Sequence, residues 1–206
     1  MNCIYHSKKV NFYNFKIISI LLSLFFSSAL IAEDKGLEEN LYDFFIEIPA
    51  GTKEKWEVNK DTQLLEIEKK NGKKRIINFI SYPGNYGFIP NTIADDGDPI
   101  DLIDLDESIP RGQVTKVKLL GGLYFKDKKE EDVKMIGIQE NSTFRNYNSL
   151  SELLINQPSV MEIIKAWFMS YKKPGKMVFY KYLTIEESKE FIEEGFTRWQ
   201  KLKDKQ

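Results

Sequence analysis

Residues 96–101, with the sequence DGDPID, place three carboxylates in one short turn near the middle of the chain. Gly97 permits a sharp change of backbone direction and Pro99 fixes one dihedral angle, so the backbone itself would aim the carboxylates. Three like charges this close repel each other wherever water is excluded, unless a cation compensates them. Oxygen ligands suit hard cations such as Mg²⁺ or Mn²⁺ rather than zinc or copper. The turn therefore predicts a metal site.

An ordinary surface turn is the alternative, because Asp, Gly and Pro are the usual residues of tight turns. A calcium loop of the EF-hand kind is excluded by spacing: with Asp96 at the first position, Ile100 stands where an oxygen ligand is required. Further carboxylates and cationic side chains elsewhere in the chain favour the metal site over the surface turn.

The chain has one cysteine and one histidine, Cys3 and His6, and both lie in an N-terminal segment that resembles a leader. Without that segment the protein would have no disulfide, no cysteine zinc site, no Ser-His-Asp triad and no histidine base. Its chemistry would then depend on carboxylates, lysines, tyrosines, arginine and bound metal.

The N-terminal segment itself has the pattern of a secretory signal peptide. Lys8, Lys9 and Lys16 precede an apolar stretch over residues 17–31, and small residues and Ala32 follow. The stretch is shorter than the ~20 residues of a membrane-spanning helix, although an uncleaved membrane anchor is the alternative. We predict a signal peptide over residues 1–32, a single domain over 33–206 and export to the periplasm or the medium, with a cytoplasmic location as the alternative.

Residues 33–206 carry 27 basic and 31 acidic side chains, a net charge of −4. An acidic protein is poorly suited to sequence-independent binding of nucleic acid, which depends on cations that neutralise phosphates. We therefore expect no nucleic-acid partner, and no membrane partner once the signal peptide has been cleaved.

The elements that must position these residues are strands first and helices later. Strands are predicted over residues 42–48, 53–58, 64–68, 75–80, 100–105, 113–120, 133–138 and 176–183. Asn71-Gly72 is a hairpin turn signal between the third and fourth of them. Ser149 and Thr184 begin capping-box patterns, and an apolar stripe at helical spacing follows Pro158. This order predicts a small mixed sheet or barrel with helices at its C-terminal end.

Charged and hydroxyl residues recur near the ends of the predicted strands. Singly each one is an ordinary surface group, but together they supply carboxylates for metal ions and donors for phosphate oxygens, as phosphoryl transfer requires. The motifs in chain order are Glu47-Ile48-Pro49-Ala50, Lys55-Trp56-Glu57, the run from Tyr82 to Thr92, the acidic turn, Asp132-Val133-Lys134 and Tyr171-Lys172. In these motifs, over residues 42–183, the chain resembles soluble inorganic pyrophosphatases of family I, which carry the signature Asp-x-Asp-Pro-x-Asp.

The resemblance implies a mainly β (α+β) fold, a five-stranded OB-like β-barrel with C-terminal flanking helices. It also implies hydrolysis of inorganic pyrophosphate to two phosphates. Three to four Mg²⁺ ions per site would be needed, with Mn²⁺ as an alternative metal. The family assembles as dimers or hexamers, so a homo-oligomer is expected.

The resemblance further assigns roles to individual residues. A water held between two metal ions would attack as hydroxide, with Asp98 as general base. The metal ligands would be Asp96, Asp101, Asp132, Asp127 and Glu47. The substrate-binding residues would be Lys55, Arg75, Tyr86, Lys134, Tyr171 and Lys172. Glu57 and Tyr82 would orient these groups.

Three departures from the family pattern affect these expectations. Lys128 follows Asp127 where the family usually has a glutamate, which removes a carboxylate near one metal position. Trp56 replaces a common tyrosine. The family arginine matches Lys69 when counted from Glu57 and Arg75 when counted back from Tyr82, and Arg75 is preferred because a planar guanidinium fits phosphate better.

Two other functions are open at this point. A catalytically silent relative that binds metal or phosphate would explain Lys128 and the leader, but it would have no need of Asp98. An enzyme acting on nucleotide diphosphates would need a base-binding pocket, and no glycine-rich nucleotide loop is found in the sequence.

Overall fold

The computed structural model describes residues 40–60, 62–128, 130–173 and 175–205, so the predicted signal peptide lies outside the described residues. The strands are β1 (Leu41–Ile48), β2 (Trp56–Val58), β3 (Leu65–Ile67), β4 (Lys69–Lys70), β5 (Lys73–Lys74), β6 (Asn85–Phe88), β7 (Asp101–Asp104), β8 (Val114–Asp127), β9 (Glu130–Ile138) and β10 (Met177–Leu183). The helices are α1 (Leu150–Asn156), α2 (Pro158–Ser170) and α3 (Ile185–Lys203). None of the described helices is both long and apolar enough to cross a membrane.

Five strands form a closed ring in the order β1-β6-β7-β9-β8, because β1 pairs with β8 as well as with β6. The pairs are antiparallel except β7–β9, which is parallel. Strand β10 adds a sixth strand outside the ring by pairing with β8. The predicted mainly β fold is confirmed, although bulges in β1 and β8 make the ring less regular than a clean barrel.

Two clusters of buried side chains hold the helices against the ring. In one, Trp167 and Phe168 of α2 pack with Phe125 of β8. In the other, Ile192 of α3 packs with core residues that include Ile100, directly before β7. Burying large apolar side chains stabilises a fold by about 1.5–3 kcal/mol each. The second cluster links the C-terminal helix to the acidic turn.

Strand β8 runs through Gly121-Gly122, where the sequence predicted a strand that ends at residue 120. Gly121 has φ +149°, and a Cβ atom there would lie 2.6 Å from the Leu183 carbonyl oxygen and 2.9 Å from Leu150 Cβ. The glycines therefore let β10 and α1 approach β8 closely. They permit close packing within one long strand and do not end it.

The Asn71-Gly72 turn is confirmed, but the predicted strand over 75–80 is wrong. The hairpin at this turn consists only of β4 and β5, with Lys69 opposite Lys74 and Lys70 opposite Lys73. Strand β3 pairs instead with β2. After Arg75 the chain forms an isolated bridge between Glu54 and Ile76 and then leaves the ladder.

A buried carboxyl lies at the end of β7. Asp104 is fully buried, and its Oδ2 accepts hydrogen bonds from Asn85 Nδ2 (2.9 Å) and Gln139 Nε2 (2.8 Å), whereas its Oδ1 has no partner among the described residues. Burial raises the pKa of Asp104 from its ordinary value of 3.8 to about 7, and the neighbouring Asp106 also raises it, against the two hydrogen bonds.

We expect Asp104→Asn to remove a pH dependence of stability. An unfolded chain loses this proton near pH 4 and the folded protein near pH 7, so wild-type stability falls across that interval as pH rises. The free energy of unfolding of the variant minus that of the wild type should therefore rise by up to about 4 kcal/mol between pH 4 and pH 8. Urea unfolding in chelator measures it. Asp43→Asn, at an exposed site, is the control, and an equal pH dependence in both variants would contradict the prediction.

Candidate active site

The acidic turn lies between β6 and β7 and is held by its own hydrogen bonds. The amide of Asp98 donates to Asp96 Oδ1 (3.0 Å), the amide of Ala94 to the Asp98 carbonyl (2.7 Å) and the amide of Gly97 to the Ala94 carbonyl (3.0 Å). Gly97 has φ +83°, in the region that favours glycine. Asp96 and Asp98 are exposed, whereas Asp101 begins β7 and points into the site.

Helix α3 holds both ends of this turn. The amide of Ile93 donates to the Gly195 carbonyl (3.1 Å), and Arg198 Nε donates back to the Ile93 carbonyl (2.7 Å). The Arg198 guanidinium also forms an ion pair with Asp95 (3.2 Å). A Cβ on Gly195 would lie 2.4 Å from Ile100 Cδ1, so a larger residue there would force the Ile100 side chain to shift.

We expect Arg198→Ala to loosen the acidic turn. The loss of a charged donor to the Ile93 carbonyl should lower the free energy of unfolding by about 1.5–3 kcal/mol. It should also weaken the binding of a divalent metal ion several-fold, because the carboxylates of the turn would be less well placed. Urea unfolding and a calorimetric titration with a divalent metal ion measure the two effects. Lys203→Ala on the same helix should change neither, and equal effects of the two variants would refute the role given to Arg198.

The centre of the site is a buried lysine between two carboxylates. The parallel register of β7 and β9 sets Asp101 opposite Lys134. The Lys134 ammonium contacts Asp101 Oδ2 and Asp132 Oδ1 and donates to the Tyr86 hydroxyl (3.2 Å). Burial by itself lowers the pKa of Lys134, but the charges of Asp101, Tyr86 and Asp132 outweigh it and raise that pKa well above its ordinary value. Lys134 therefore stays cationic.

A second cationic group surrounds Glu68. Lys55 Nζ lies 3.1 Å from a carboxylate oxygen of Glu68 and of Glu57, and Arg75 Nη1 lies 2.8 and 2.6 Å from the two oxygens of Glu68. Lys55 is largely buried, yet Glu57 and Glu68 raise its pKa above the ordinary value. The structure thus brings Arg75 beside Lys55, whereas Lys69, the other candidate, is exposed.

A third cluster of charged side chains lies at the end of β8. Lys172 Nζ lies 2.6 Å from Asp127 Oδ2 and 4.0 Å from Asp132 Oδ2. The Asp127 Oδ1 atom is buried and has no hydrogen-bond partner among the described residues. Burial tends to raise the pKa of Asp127, but Lys172 and the nearby Lys176 and Lys128 lower it below its ordinary value. Three lysines therefore lie near Asp127 at this end of the site.

Aromatic rings and Glu47 form the floor of the site. Tyr82 packs between the rings of Tyr86 (5.5 Å between centroids) and Trp167 (4.5 Å), and Trp167 stacks on Tyr171 (4.6 Å). These contacts fix the tyrosines that face the charged groups.

Glu47 is buried and accepts a hydrogen bond from the Val58 amide (2.8 Å). Burial raises the pKa of Glu47 to about 7, against that hydrogen bond.

The carboxylates fit divalent metal ions. Asp96, Asp101 and Asp132 line one pocket, with Phe191 of α3 on its wall. No three carboxylates of the described residues converge into a ready ligand cluster. Instead Asp101 and Asp132 share one cation, the Lys134 ammonium, and Asp127 keeps a buried oxygen without a partner. An all-oxygen donor set of this kind suits hard divalent cations.

Three residues of the site had no signal in the sequence. Lys60 forms an ion pair with Asp98, the predicted base, although both side chains are more than half exposed. Glu68 joins Lys55 to Arg75, and Arg198 joins α3 to the acidic turn. Each of these pairs depends on long-range geometry that residue spacing does not reveal.

Comparison with known proteins agrees with this geometry. The family model described as inorganic pyrophosphatase matches residues 44–200. The inorganic pyrophosphatase of Campylobacter jejuni is 33% identical over 142 residues, which are 68% of this chain and 80% of that protein. The inorganic pyrophosphatase of Aquifex pyrophilus is 31% identical over 171 residues, 81% of this chain and 93% of that protein.

Solved structures show the same fold. The vacuolar soluble pyrophosphatase of Trypanosoma cruzi, crystallised with PPi, superposes with a TM-score of 0.75 at 26% identity, over 80% of this chain and 71% of that one. The inorganic pyrophosphatase of Helicobacter pylori superposes with a TM-score of 0.69 at 27% identity, over 78% of this chain and 94% of that one. The five-strand ring is thus the OB-like ring of these proteins.

Proposed function

Because the chain belongs to the inorganic pyrophosphatase family and is a metal-dependent hydrolase of pyrophosphate, we propose that Asp98 is the general base of its reaction and that Mg²⁺ is its metal. The observation that carries this proposal is the pair Asp101 and Asp132, two carboxylates that lie beside the acidic turn and both contact the Lys134 ammonium. A silent phosphate-binding protein is not favoured, since such a protein has no use for a carboxylate at position 98.

Metal ions would be held by Asp96, Asp101 and Asp132, with Asp127 and Glu47 available for further ions. When bound, divalent ions lower the pKa of water and neutralise the charge of pyrophosphate. Asp98 lies in the same turn as Asp96 and is exposed, so it can accept a proton from water at the mouth of the site. The Lys60 ammonium forms an ion pair with the Asp98 carboxylate.

The two phosphate groups would lie between the cationic groups of the site. Donors for their oxygens come from Lys55, Arg75, Tyr86, Lys134, Tyr171 and Lys172. Glu57 holds Lys55, and the ring of Tyr82 supports that of Tyr86, so these two residues orient the donors. Preorganised donors of this kind stabilise the charge that develops on the leaving phosphate. Lys128 would weaken a metal ion bound at Asp127, because it adds a positive charge there.

Phosphate release from pyrophosphate, ATP and a nucleotide sugar by the purified protein, with Mg²⁺, Mn²⁺ or chelator, tests the proposal. We expect release from pyrophosphate with Mg²⁺ and none in chelator. Comparable release from ATP would favour the nucleotide-diphosphate alternative. Metal binding without any phosphate release would favour the silent relative.

We also propose that residues 1–32 direct export, that residues 33–206 act as one domain and that this domain forms a homo-oligomer, a dimer or a hexamer. The basic and apolar pattern of residues 8–32 supports export. N-terminal mass analysis of fractionated cells tests it, since intact Met1 on cytosolic protein would contradict export. Light scattering of the purified protein gives the oligomeric state, and a monomer would contradict the last point.

A further inference from the structure

The β4–β5 hairpin carries four exposed lysines in a protein whose residues 33–206 are net acidic. Lys69 lies opposite Lys74 and Lys70 opposite Lys73. Like charges directly across a ladder are destabilising. Within the described part of the chain, none of these four lysines forms an ion pair that would relieve the repulsion.

One pair of these lysines lies on the face of the hairpin that carries Arg75. The Arg75 amide donates to the Glu68 carbonyl (2.8 Å), so the ladder continues in register beyond Lys69 and Lys74, with Glu68 opposite Arg75. Side chains alternate between the two faces of a strand. Lys70 and Lys73 therefore share a face with Glu68 and Arg75, and the other two lysines occupy the opposite face.

That face leads directly into the site. Glu68 is in contact with both Lys55 and Arg75, the proposed donors to pyrophosphate. A step of two residues along a strand covers about 7 Å. Lysine side chains are long and flexible, so the ammonium groups of Lys70 and Lys73 can reach a phosphate attached to one held at Arg75. Residues 69–74 contain no carboxylate, and the Glu68 carboxylate on this face is already paired with Lys55 and Arg75.

We propose that Lys70 and Lys73 form a binding subsite for a third phosphate, which would let the protein bind linear inorganic phosphate chains longer than pyrophosphate. The inference rests on the proposed function, because it takes Lys55 and Arg75 as the donors to the first two phosphates. The subsite lies on an exposed hairpin and consists of point charges, so it would add affinity through charge-assisted contacts.

Inorganic tripolyphosphate is the probe, and the chain offers a matched control. The double variant Lys70→Ala/Lys73→Ala removes two charges from the face of Arg75. The double variant Lys69→Ala/Lys74→Ala removes the same charge from the opposite face. Both remove one repelling cross-strand pair, so the hairpin should still form in each. Free Mg²⁺ must be held constant, because tripolyphosphate binds it.

Two measurements decide the question: the inhibition constant of tripolyphosphate against pyrophosphate hydrolysis, and its dissociation constant by calorimetry. We expect Lys70→Ala/Lys73→Ala to weaken tripolyphosphate about tenfold, several times more than it raises KM for pyrophosphate. Lys69→Ala/Lys74→Ala should weaken tripolyphosphate less than twofold. Equal losses in both variants would show a general electrostatic effect and overturn the subsite, and so would no loss in either.

Failure of the proposed function can be told apart from failure of the subsite. If the wild-type protein released no phosphate from pyrophosphate, the proposed function would be wrong. The calorimetric difference between the two double variants would still be measurable and would still decide whether Lys70 and Lys73 bind tripolyphosphate.

Discussion

The Asp98→Asn variant is expected to release phosphate from magnesium pyrophosphate at least about a hundredfold more slowly than the wild type, because general base catalysis contributes about 10²–10⁴ in rate. Asparagine has the same shape as aspartate, and the backbone bond from residue 98 to Asp96 Oδ1 does not involve the side chain. The fold of the turn should therefore persist while its proton acceptor is lost. The loss should fall on kcat rather than on KM, since Asp98 is not among the donors to pyrophosphate.

A matched control comes from the same turn. Asp95 is also exposed, and its ion pair is with Arg198 on helix α3. Asp95→Asn should keep kcat within about threefold of the wild type, because Arg198 retains its bond to the Ile93 carbonyl. Equal losses in the two variants would show that any charge change in the turn disturbs the site, and Asp98 would lose its special role.

Local signals in the sequence predicted much of the fold and the position of the acidic turn. The sequence predicted strands at the positions of β1, β7 and β9, and the capping patterns at Ser149 and Thr184 predicted α1 and α3. These signals are readable because they depend on residues that are neighbours in sequence. The role of Gly121 could not be predicted in this way, because it depends on residues that are distant in sequence. What its missing side chain permits is contact with Leu183 and Leu150, which are distant in sequence.

The charge pairing within the site could not be predicted in the same way. The motifs named Lys55, Arg75, Asp98 and Lys134 as separate donors or acceptors. Their partners follow from strand register and helix docking: Lys134 meets Asp101 because β7 and β9 are parallel neighbours. Arg198 reaches Ile93 across a separation of 105 residues. Residue types limited the chemistry to carboxylates and cations, and only the fold could show which of them share a charge.

Replacement of Lys134 by methionine is expected to destabilise the metal-free protein strongly and to make its stability depend on Mg²⁺. Methionine keeps much of the lysine stem but leaves Asp101 and Asp132 without their shared cation. Loss of one partner from a buried ion pair costs about 3–5 kcal/mol. The two carboxylates can recover that stabilisation from a divalent ion, whereas in the wild type the ammonium competes for the same oxygens. Activity should also fall at least about a hundredfold, because a donor to pyrophosphate is lost.

Thermal unfolding in chelator and in Mg²⁺ measures whether Mg²⁺ can replace the lost Lys134 ammonium. This measurement does not depend on activity. In chelator the Tm of Lys134→Met should lie about 6–20 °C below that of the wild type. Mg²⁺ should raise the Tm of the variant by more than it raises that of the wild type. Lys116→Met is the control, because its partner Asp43 is exposed and such pairs contribute about 0–1 kcal/mol. An equal Mg²⁺ response in Lys134→Met and wild type would mean that Asp101 and Asp132 do not form the metal site around which the mechanism is built.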